Sequence, residues 1–245
     1  MCATKSIRGL ILTLVLGLAS VMTTALGEET PIYKIELILF THRIESAAQS
    51  ILSSNITEWP DTENAIELSM DQSDMGSSDS LFSVLPLSET NLAEEKSLLV
   101  HSNRYEVIKH LIWQQPGLDH ASARSVRIHG GEDYKDQFPE RLQATWSLDE
   151  NEQLFQSPAQ VELEQLDGTV KVVLGRFLHV YTDLIFRHPL IEEIEYSDGQ
   201  VRRTAVLADY SVRIHRRLRS QELNYLDHPL LGILVEITPL AETEN

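Results

Sequence analysis

Hydrophobic and polar residues alternate along most of the chain, as they do in β-strands that have one buried face. The stretch PIYKIELILFTHR (31–43) shows this pattern near the N-terminus, where Ile35, Leu37 and Leu39 occupy every second position. Side chains two residues apart point to the same face of a strand. The pattern therefore predicts that residues 28–43 contain the first strand of the core.

The stretch from Ser88 to Gly117 shows a helical period instead. Asn91 and Glu94 have the spacing of a capping box, and Ser102 offers a second N-cap. At about 100° per residue, four apolar residues of the second half fall on one face. They are Tyr105, Ile108, Leu111 and Ile112. The pattern predicts a helix that ends at the Pro-Gly pair.

His110 and Trp113 fall on the opposite, polar face of this predicted helix. An indole in that position calls for an explanation. Trp113 with His110 could stack on a sugar ring, as exposed aromatic residues do. The indole could equally pack beneath the apolar segment LFSVLPL (81–87). The sequence leaves both possibilities open.

The rest of the chain reads almost entirely as strand. Asp167-Gly168 and Asp198-Gly199 each separate two alternating runs, and this predicts two β-hairpins, because Asp-Gly pairs favour tight turns. One face of the first predicted hairpin collects six apolar residues. They are Val170, Val172, Leu174, Leu178, Val180 and Leu184.

The C-terminal region predicts a further antiparallel pair. Residues 208–218 and 231–239 both alternate, and residues 219–229 would connect them. Arg213, Arg217 and Arg219 share the parity opposite to the apolar residues of the first strand. The pattern predicts that these three arginines lie on one exposed face.

Together these elements predict an α+β fold, a largely antiparallel sheet with one helical layer. The core would comprise the first strand and residues 98–245. Residues 44–97 between them begin with a stretch rich in Ser, Asn, Asp and Glu, which predicts an acidic, partly disordered excursion. Trp59 could dock this excursion onto the body. The only cysteine is Cys2, so the fold is predicted to be disulfide-free.

The N-terminus has the composition of a secretory signal. Lys5 and Arg8 precede the uncharged stretch GLILTLVLGLASVM, which is followed by the small residues TTALG. A membrane anchor would need an apolar run of roughly 20 residues. Residues 1–27 are therefore predicted to be a cleavable signal peptide, and no transmembrane span is expected after cleavage.

The charge of the chain limits its partners. The formal net charge is −17, and nucleic acid and anionic membrane surfaces both repel a protein with such a field. No nucleic-acid partner is expected. The sequence also lacks the spacings of common catalytic and metal sites: none of its nine histidines belongs to an HExxH, Cys-His or His-x-His set, and neither GxSxG nor a P-loop occurs. No catalytic, cofactor or metal site is predicted, and no enzymatic activity.

Four stretches in order resemble one known family. They are YKIELILFTHR (33–43), SNRYEVIKHLIWQQPG (102–117), LDGTVKVVLGRFLHVYTDL (166–184) and RRLRSQELNYLDHPLLGILVEITP (216–239). In this order they resemble the CsiV family, periplasmic peptidoglycan-binding proteins of Gram-negative bacteria. The resemblance implies a non-enzymatic accessory factor in the periplasm. Its partners would be peptidoglycan, an outer-membrane lipoprotein activator and the bifunctional class A penicillin-binding protein that this lipoprotein activates.

Peptidoglycan as a ligand suggests roles for the cationic and aromatic residues. Its stem peptides carry carboxylates, which guanidinium groups bind well. His110, Trp113, Arg213, Arg217 and Arg219 are therefore the candidate glycan or stem-peptide contacts. The arginines could instead pair with acids on neighbouring strands, such as Glu162, Glu192 and Glu195. A different function also stays open, a pure protein–protein adaptor for the lipoprotein activator, with the acidic excursion as its docking arm.

Overall fold

Strands make up most of the chain in this computed structural model, which describes residues 30–43, 59–68, 81–142, 145–148, 154–157, 162–195 and 199–240. The predicted signal peptide lies outside the described residues, as do residues 44–58 and 69–80 of the predicted excursion. In chain order the strands are β1 (Ile32–His42), β2 (Ser83–Val84), β3 (Tyr105–Pro116), β4 (Ser125–Asp133), β5 (Thr145–Leu148), β6 (Leu154–Ser157), β7 (Glu164–Leu174), β8 (Leu178–Glu195), β9 (Val201–Leu218), β10 (Asn224–Asp227) and β11 (Leu231–Pro239). One α-helix, α1 (Ala93–His101), and two 3₁₀ helices, Leu87–Glu89 and Pro139–Leu142, complete the described elements.

The strands form two main antiparallel sheets. The β1 sheet has the order β10-β11-β1-β3-β2, and the β8 sheet has the order β4-β7-β8-β9. Strands β5 and β6 form a separate two-stranded sheet among the described residues. A single isolated parallel bridge joins Ile66 to Val126 at the edge of β4. The predicted largely antiparallel sheet is confirmed, but the described residues contain a single short α-helix, so the fold is mostly β and the predicted α+β class is too rich in helix.

The hydrophobic core lies between the two sheets. Ile35, Leu37 and Leu39 of β1 face the same buried cluster as Val180 and Leu184 of β8. This agrees with the alternation that the sequence shows in both strands. The second face of β1 is also buried, because α1 packs Leu92 and Leu99 against Ile38 and Phe40. The predicted first strand and the predicted shared face from Val170 to Leu184 are confirmed.

The predicted helix over residues 102–117 is wrong. The single α-helix among the described residues ends at His101, and Tyr105–Pro116 is strand β3, which pairs with β1 along its whole length. The capping box does not form either, since Leu92 is the N-cap and its side chain makes no capping hydrogen bond. Residues 105–113 include several β-branched and aromatic residues, which suit a strand, and pairing with β1 decides between the two periods.

The first predicted Asp-Gly turn is also wrong. Asp167 and Gly168 lie in the middle of β7, paired with Ile185 and Leu184 of β8. Gly168 has φ +143°, and a Cβ there would overlap the carbonyl oxygen of Asp183. The glycine therefore permits close approach of two strands, and the chain reverses later, at the residues between Leu174 and Leu178.

The second Asp-Gly prediction is confirmed by pairing. Strands β8 and β9 stay in register as far as Glu195 and Val201, so the chain reverses between these residues, around Gly199. The predicted pairing of 208–218 with 231–239 is wrong, because β9 pairs with β8 whereas β11 pairs with β1 and β10. Alternation marks a strand but does not identify its neighbour.

Part of the predicted excursion packs on the body. The amide of Ile66 donates to the carbonyl oxygen of Ser125 at 2.8 Å, and the Ile66 side chain is buried. The Trp59 ring lies 5.9 Å from the guanidinium carbon of Arg187, as the docking prediction for this tryptophan requires. Residues 59–68 therefore form a segment that runs along the β4 edge of the β8 sheet.

Candidate functional site

The outer face of the β8 sheet presents an exposed row of rings and cations. Cross-strand partners in an antiparallel pair point to the same face, and His179 pairs with Arg217 as Tyr181 pairs with His215. The residues between them on β8, such as Val180, point into the core. Alternation therefore fixes these four side chains on the side away from the core.

The rings of this face stack on one another. Tyr181 and His215 have ring centroids 4.2 Å apart and an interplanar angle of 3°. His179 stacks on His215 at 5.2 Å, and its Nδ1 lies 3.0 Å from Nε2 of His215. His120 meets the edge of Tyr181 at 5.7 Å. The contacts hold the rings in fixed orientations, so they form a flat, partly exposed platform.

Two guanidinium groups adjoin the platform at the β7–β8 turn. Arg217 lies 4.6 Å from the centroid of Phe177, and Arg176 lies 5.6 Å from it. Phe177 is 43% exposed. Within the described residues, neither Arg176 nor Arg217 has an acidic side chain within ion-pair distance. We call the rings of Phe177, His179, Tyr181 and His215, together with Arg176 and Arg217, the ring surface.

The three predicted arginines do not behave alike. Arg213 donates through Nε to Oδ1 of Asp183 at 2.7 Å, and Nη1 of Arg219 lies 3.6 Å from Oε1 of Glu222. Arg213 and Arg217 share the outer face of β9, whereas Arg219 lies beyond the end of the strand. Two of the three arginines thus pair with acids, as the alternative predicted. Their partners are Asp183 and Glu222 and not the glutamates that the sequence suggested. Arg217 alone of the three belongs to the ring surface.

The other two predicted contacts are buried. Trp113 is 0% exposed, lies in the core between the sheets, and donates from Nε1 to Oε1 of Gln115 at 2.9 Å. His110 points to the opposite side of β3, where its Nε2 lies 2.8 Å from Oε1 of Glu36. Of the two possibilities left open for Trp113, stacking of an exposed indole on a sugar ring is therefore wrong. Val84 of β2 pairs with Trp113, which is close to the alternative of packing beneath residues 81–87.

A chain of opposite charges lies at the other end of the same outer face. The side chain of Arg187 is almost fully buried, and it lies 3.6 Å from Asp167 and 3.3 Å from Asp209. Arg141 binds Asp209, and Arg127 binds Asp167 at 2.6 Å. Burial lowers the pKa of Arg187, and the two aspartates oppose this effect. Each buried charge has an opposite charge nearby, so removing one partner would leave another charge buried without compensation, at a cost of about 3–5 kcal/mol.

One group of side chains has the composition of a metal site. In the part of the chain that the structure describes, His129, Glu162 and Glu164 are the one set of three such residues whose ligand atoms all lie within 4.8 Å of one another. The sequence spacing gave no sign of this site, because β4 and β7 bring its members together. Burial alone would lower the pKa of His129, but the hydrogen bonds and charges of Glu164 and Glu67 outweigh it and raise the pKa.

Comparison with known proteins gives one match. A family model described as peptidoglycan-binding protein, CsiV, matches residues 9–240, nearly the whole chain. Neither the curated proteins nor the solved structures contain a match to the chain. None of the described helices is long and apolar enough to cross a membrane.

Proposed function

Since the chain belongs to the CsiV family of peptidoglycan-binding proteins, we propose that it binds peptidoglycan through the ring surface. The observation that carries this proposal is the pair of guanidinium groups beside Phe177, which lack acidic partners among the described residues. Stem-peptide carboxylates would occupy these guanidiniums, because planar N–H donors match a carboxylate in geometry. The stacked faces of Tyr181 and His215 would pack against a sugar ring.

The local charge explains how so acidic a protein can bind an anionic polymer. Arg176 and Arg217 lie together with Lys171 on one face, and Lys171 donates to the carbonyl oxygen of His120 at 3.1 Å. The Debye length is about 10 Å at 0.1 M ionic strength, so distant acids have little effect at this surface. A cationic surface within an acidic body would favour the wall polymer there and reduce adhesion elsewhere.

We propose that the protein acts as an exported accessory factor. Residues 1–27 would direct it to the periplasm, where it would support wall synthesis by a class A penicillin-binding protein and its outer-membrane lipoprotein activator. We also propose that it is not an enzyme, and the sequence motifs support this, since it contains no GxSxG or HExxH. Incubation with sacculi should then release no muropeptides.

Sedimentation with isolated sacculi tests the binding proposal. Protein purified after expression of the full chain should pellet with sacculi, and the double variant Arg176→Gln with Arg217→Gln should bind at least tenfold less, because a hydrogen bond to a charged group contributes about 1.5–3 kcal/mol and about 1.4 kcal/mol is a factor of ten. The matched control is Arg203→Gln, since Arg203 is exposed on the same strand but pairs with Glu193. Equal pelleting of the double variant and the wild type would exclude the ring surface as the binding site.

One observation favours the adaptor function as a second candidate. Leu98 and Val100 of α1 are 68% and 59% exposed, and a partner protein could cover these two apolar side chains. The acidic excursion is the predicted docking arm, but deleting its residues 46–80 would not test the adaptor function cleanly, because the deletion also removes the buried Ile66. The variant Leu98→Ser with Val100→Ser is better. If the protein is an adaptor, this variant should lose capture of the lipoprotein activator and keep sacculus binding. If the protein binds the wall, the variant with the Arg176 and Arg217 substitutions should lose sacculus binding and keep that capture.

A further inference from the structure

A half-exposed imidazole with carboxylates on both sides lies where the docked segment 59–68 meets the β8 sheet. Nδ1 of His129 lies 2.6 Å from Oε2 of Glu164, and Nε2 lies 3.1 Å from Oε1 of Glu67. Glu162 adds a third carboxylate, and the ligand atoms of His129, Glu162 and Glu164 all lie within 4.8 Å of one another. Three chain segments, β4, β7 and residues 59–68, thus contribute to one cluster.

We propose that His129, Glu162 and Glu164 bind a zinc ion, with Glu67 orienting the imidazole. Zinc takes histidine nitrogen and carboxylate oxygen ligands at about 2.0–2.2 Å, usually in a tetrahedron. Three protein ligands leave the fourth position for water. The carboxylates are partly exposed, which leaves room for the side-chain rotations that would bring the three ligand atoms around one ion.

The contact with Glu67 is the observation that distinguishes this cluster from a group of acids. A metal-binding histidine characteristically donates its second ring N–H to a carboxylate, which fixes the tautomer and the ring orientation. Glu67 occupies that position at Nε2, on the side of the ring opposite to Glu164. Nδ1 is then the metal-binding nitrogen. It faces Glu162 and Glu164, and the proton that it donates to Glu164 in the metal-free protein would leave to solvent when zinc binds.

Competition from arginine does not prevent binding. Nη2 of Arg127 lies 3.5 Å from Glu162 but only 2.6 Å from Oδ1 of Asp167, which is its closer partner. Glu162 can therefore turn to a metal without leaving Arg127 unpaired. The mixed nitrogen and oxygen set favours zinc over calcium and magnesium, which prefer oxygen ligands alone. Ca²⁺, titrated over the same concentrations at which zinc saturates the site, should accordingly give no saturable signal.

Calorimetric titration of zinc into the metal-free full-chain protein, purified without a histidine tag, tests the site. Wild-type protein should bind one equivalent. His129→Ala and Glu164→Gln should bind at least tenfold more weakly, and Glu67→Gln roughly 10–100-fold more weakly, as expected for loss of an outer carboxylate partner. His101→Ala and Glu94→Gln, both on exposed positions of α1, are the matched controls and should bind as the wild type does.

Folding of each variant is checked by its thermal melt in the absence of metal. Should the His129 variant fail to fold, Glu162→Gln replaces it, because Glu162 is exposed and precedes β7. Zinc should also raise the Tm of the wild type and leave that of Glu162→Gln nearly unchanged. The proposal is overturned by the absence of saturable zinc binding in the wild type, or by equal affinity in the wild type and folded variants of His129, Glu162 or Glu164.

Discussion

The carboxylate of Glu36 binds the imidazole of His110 beneath helix α1, with 2.8 Å between Oε1 and Nε2 and both side chains buried. A carboxylate can only accept, so Nε2 carries the proton. The same carboxylate accepts from the hydroxyl of Thr90 at 2.5 Å and from the amide of Asn91 at 2.7 Å. One buried acid therefore connects β1, β3 and the entry to α1.

Glu36→Gln should destabilise the protein at neutral pH by about 1.5–3 kcal/mol, because hydrogen bonds to a charged group are lost or weakened. Burial would raise the pKa of Glu36, but the hydrogen bonds from His110, Thr90 and Asn91 outweigh it and lower the pKa below the ordinary 4.5. A lowered pKa in the folded state stabilises the fold above 4.5, and this stabilisation is lost as the pH falls through the folded pKa.

Urea unfolding of the wild type and Glu36→Gln at pH 7 and near pH 3.5 measures this effect. The difference in unfolding free energy between them should shrink at the lower pH, because the wild type loses its advantage there. Glu94→Gln, on an exposed position of α1, should match the wild type at both values. A difference that is constant with pH would contradict the role of the ionised carboxylate.

Gly168→Ala should destabilise the protein by about 3 kcal/mol or more. The residue has φ +143°, and a new Cβ would overlap the carbonyl oxygen of Asp183 and lie 2.7 Å from Cα of Leu184. Gly175→Ala is the matched control, because the nearest atom to a Cβ there is 3.9 Å away. It should shift the unfolding free energy by no more than about 0.5 kcal/mol. Chemical denaturation of both variants checks the difference, and equal stability would contradict the close approach of β7 and β8.

Local pattern predicted the strands whose apolar residues alternate along the sequence and missed what pairing decides. β1 and β11 could be read from the sequence because each second residue is apolar. Residues 105–116 also fit a helical period, and only their pairing with β1 makes them a strand. Asp167-Gly168 has the letters of a turn, yet the glycine is needed for strand approach.

The site residues, too, were predicted correctly where alternation decides their position and wrongly where strand pairing decides it. The parity of β9 correctly placed Arg213 and Arg217 on one outer face. Tyr181 and His215 were missed, although Tyr181 alternates with the buried Val180 and could have been assigned to the outer face from that alone. Their stacking depends on the β8–β9 register, which the sequence does not specify. His110 and Trp113 were misplaced because the wrong period gave the wrong face.

Trp113→Phe should lower stability without affecting sacculus binding. The ring is fully buried, and the substitution leaves Oε1 of Gln115 without its indole donor, at a cost of about 1–3 kcal/mol. Phe177→Ala should instead reduce sacculus binding and change stability little, since Phe177 is 43% exposed on the ring surface. Thermal melts and sedimentation with sacculi, both on the same preparations, distinguish the two. A selective loss of binding in the folded Trp113 variant would restore the indole as a contact.

Single substitutions of Arg213, Arg217 and Arg219 should separate the arginine that binds from those that pair within the protein. Arg217→Gln should reduce sacculus binding several-fold, because its guanidinium has no acidic partner in the described chain and lies beside Phe177. Arg213→Gln and Arg219→Gln should change binding less than twofold, since Asp183 and Glu222 already engage these groups.

Wild-type binding should weaken as salt rises from low to physiological levels, because exposed charges are screened over about 10 Å at 0.1 M. Arg217→Gln should show a shallower salt dependence than either of the other two variants. Equal losses and equal salt dependence in all three would mean that diffuse charge, and not the ring surface, holds the polymer.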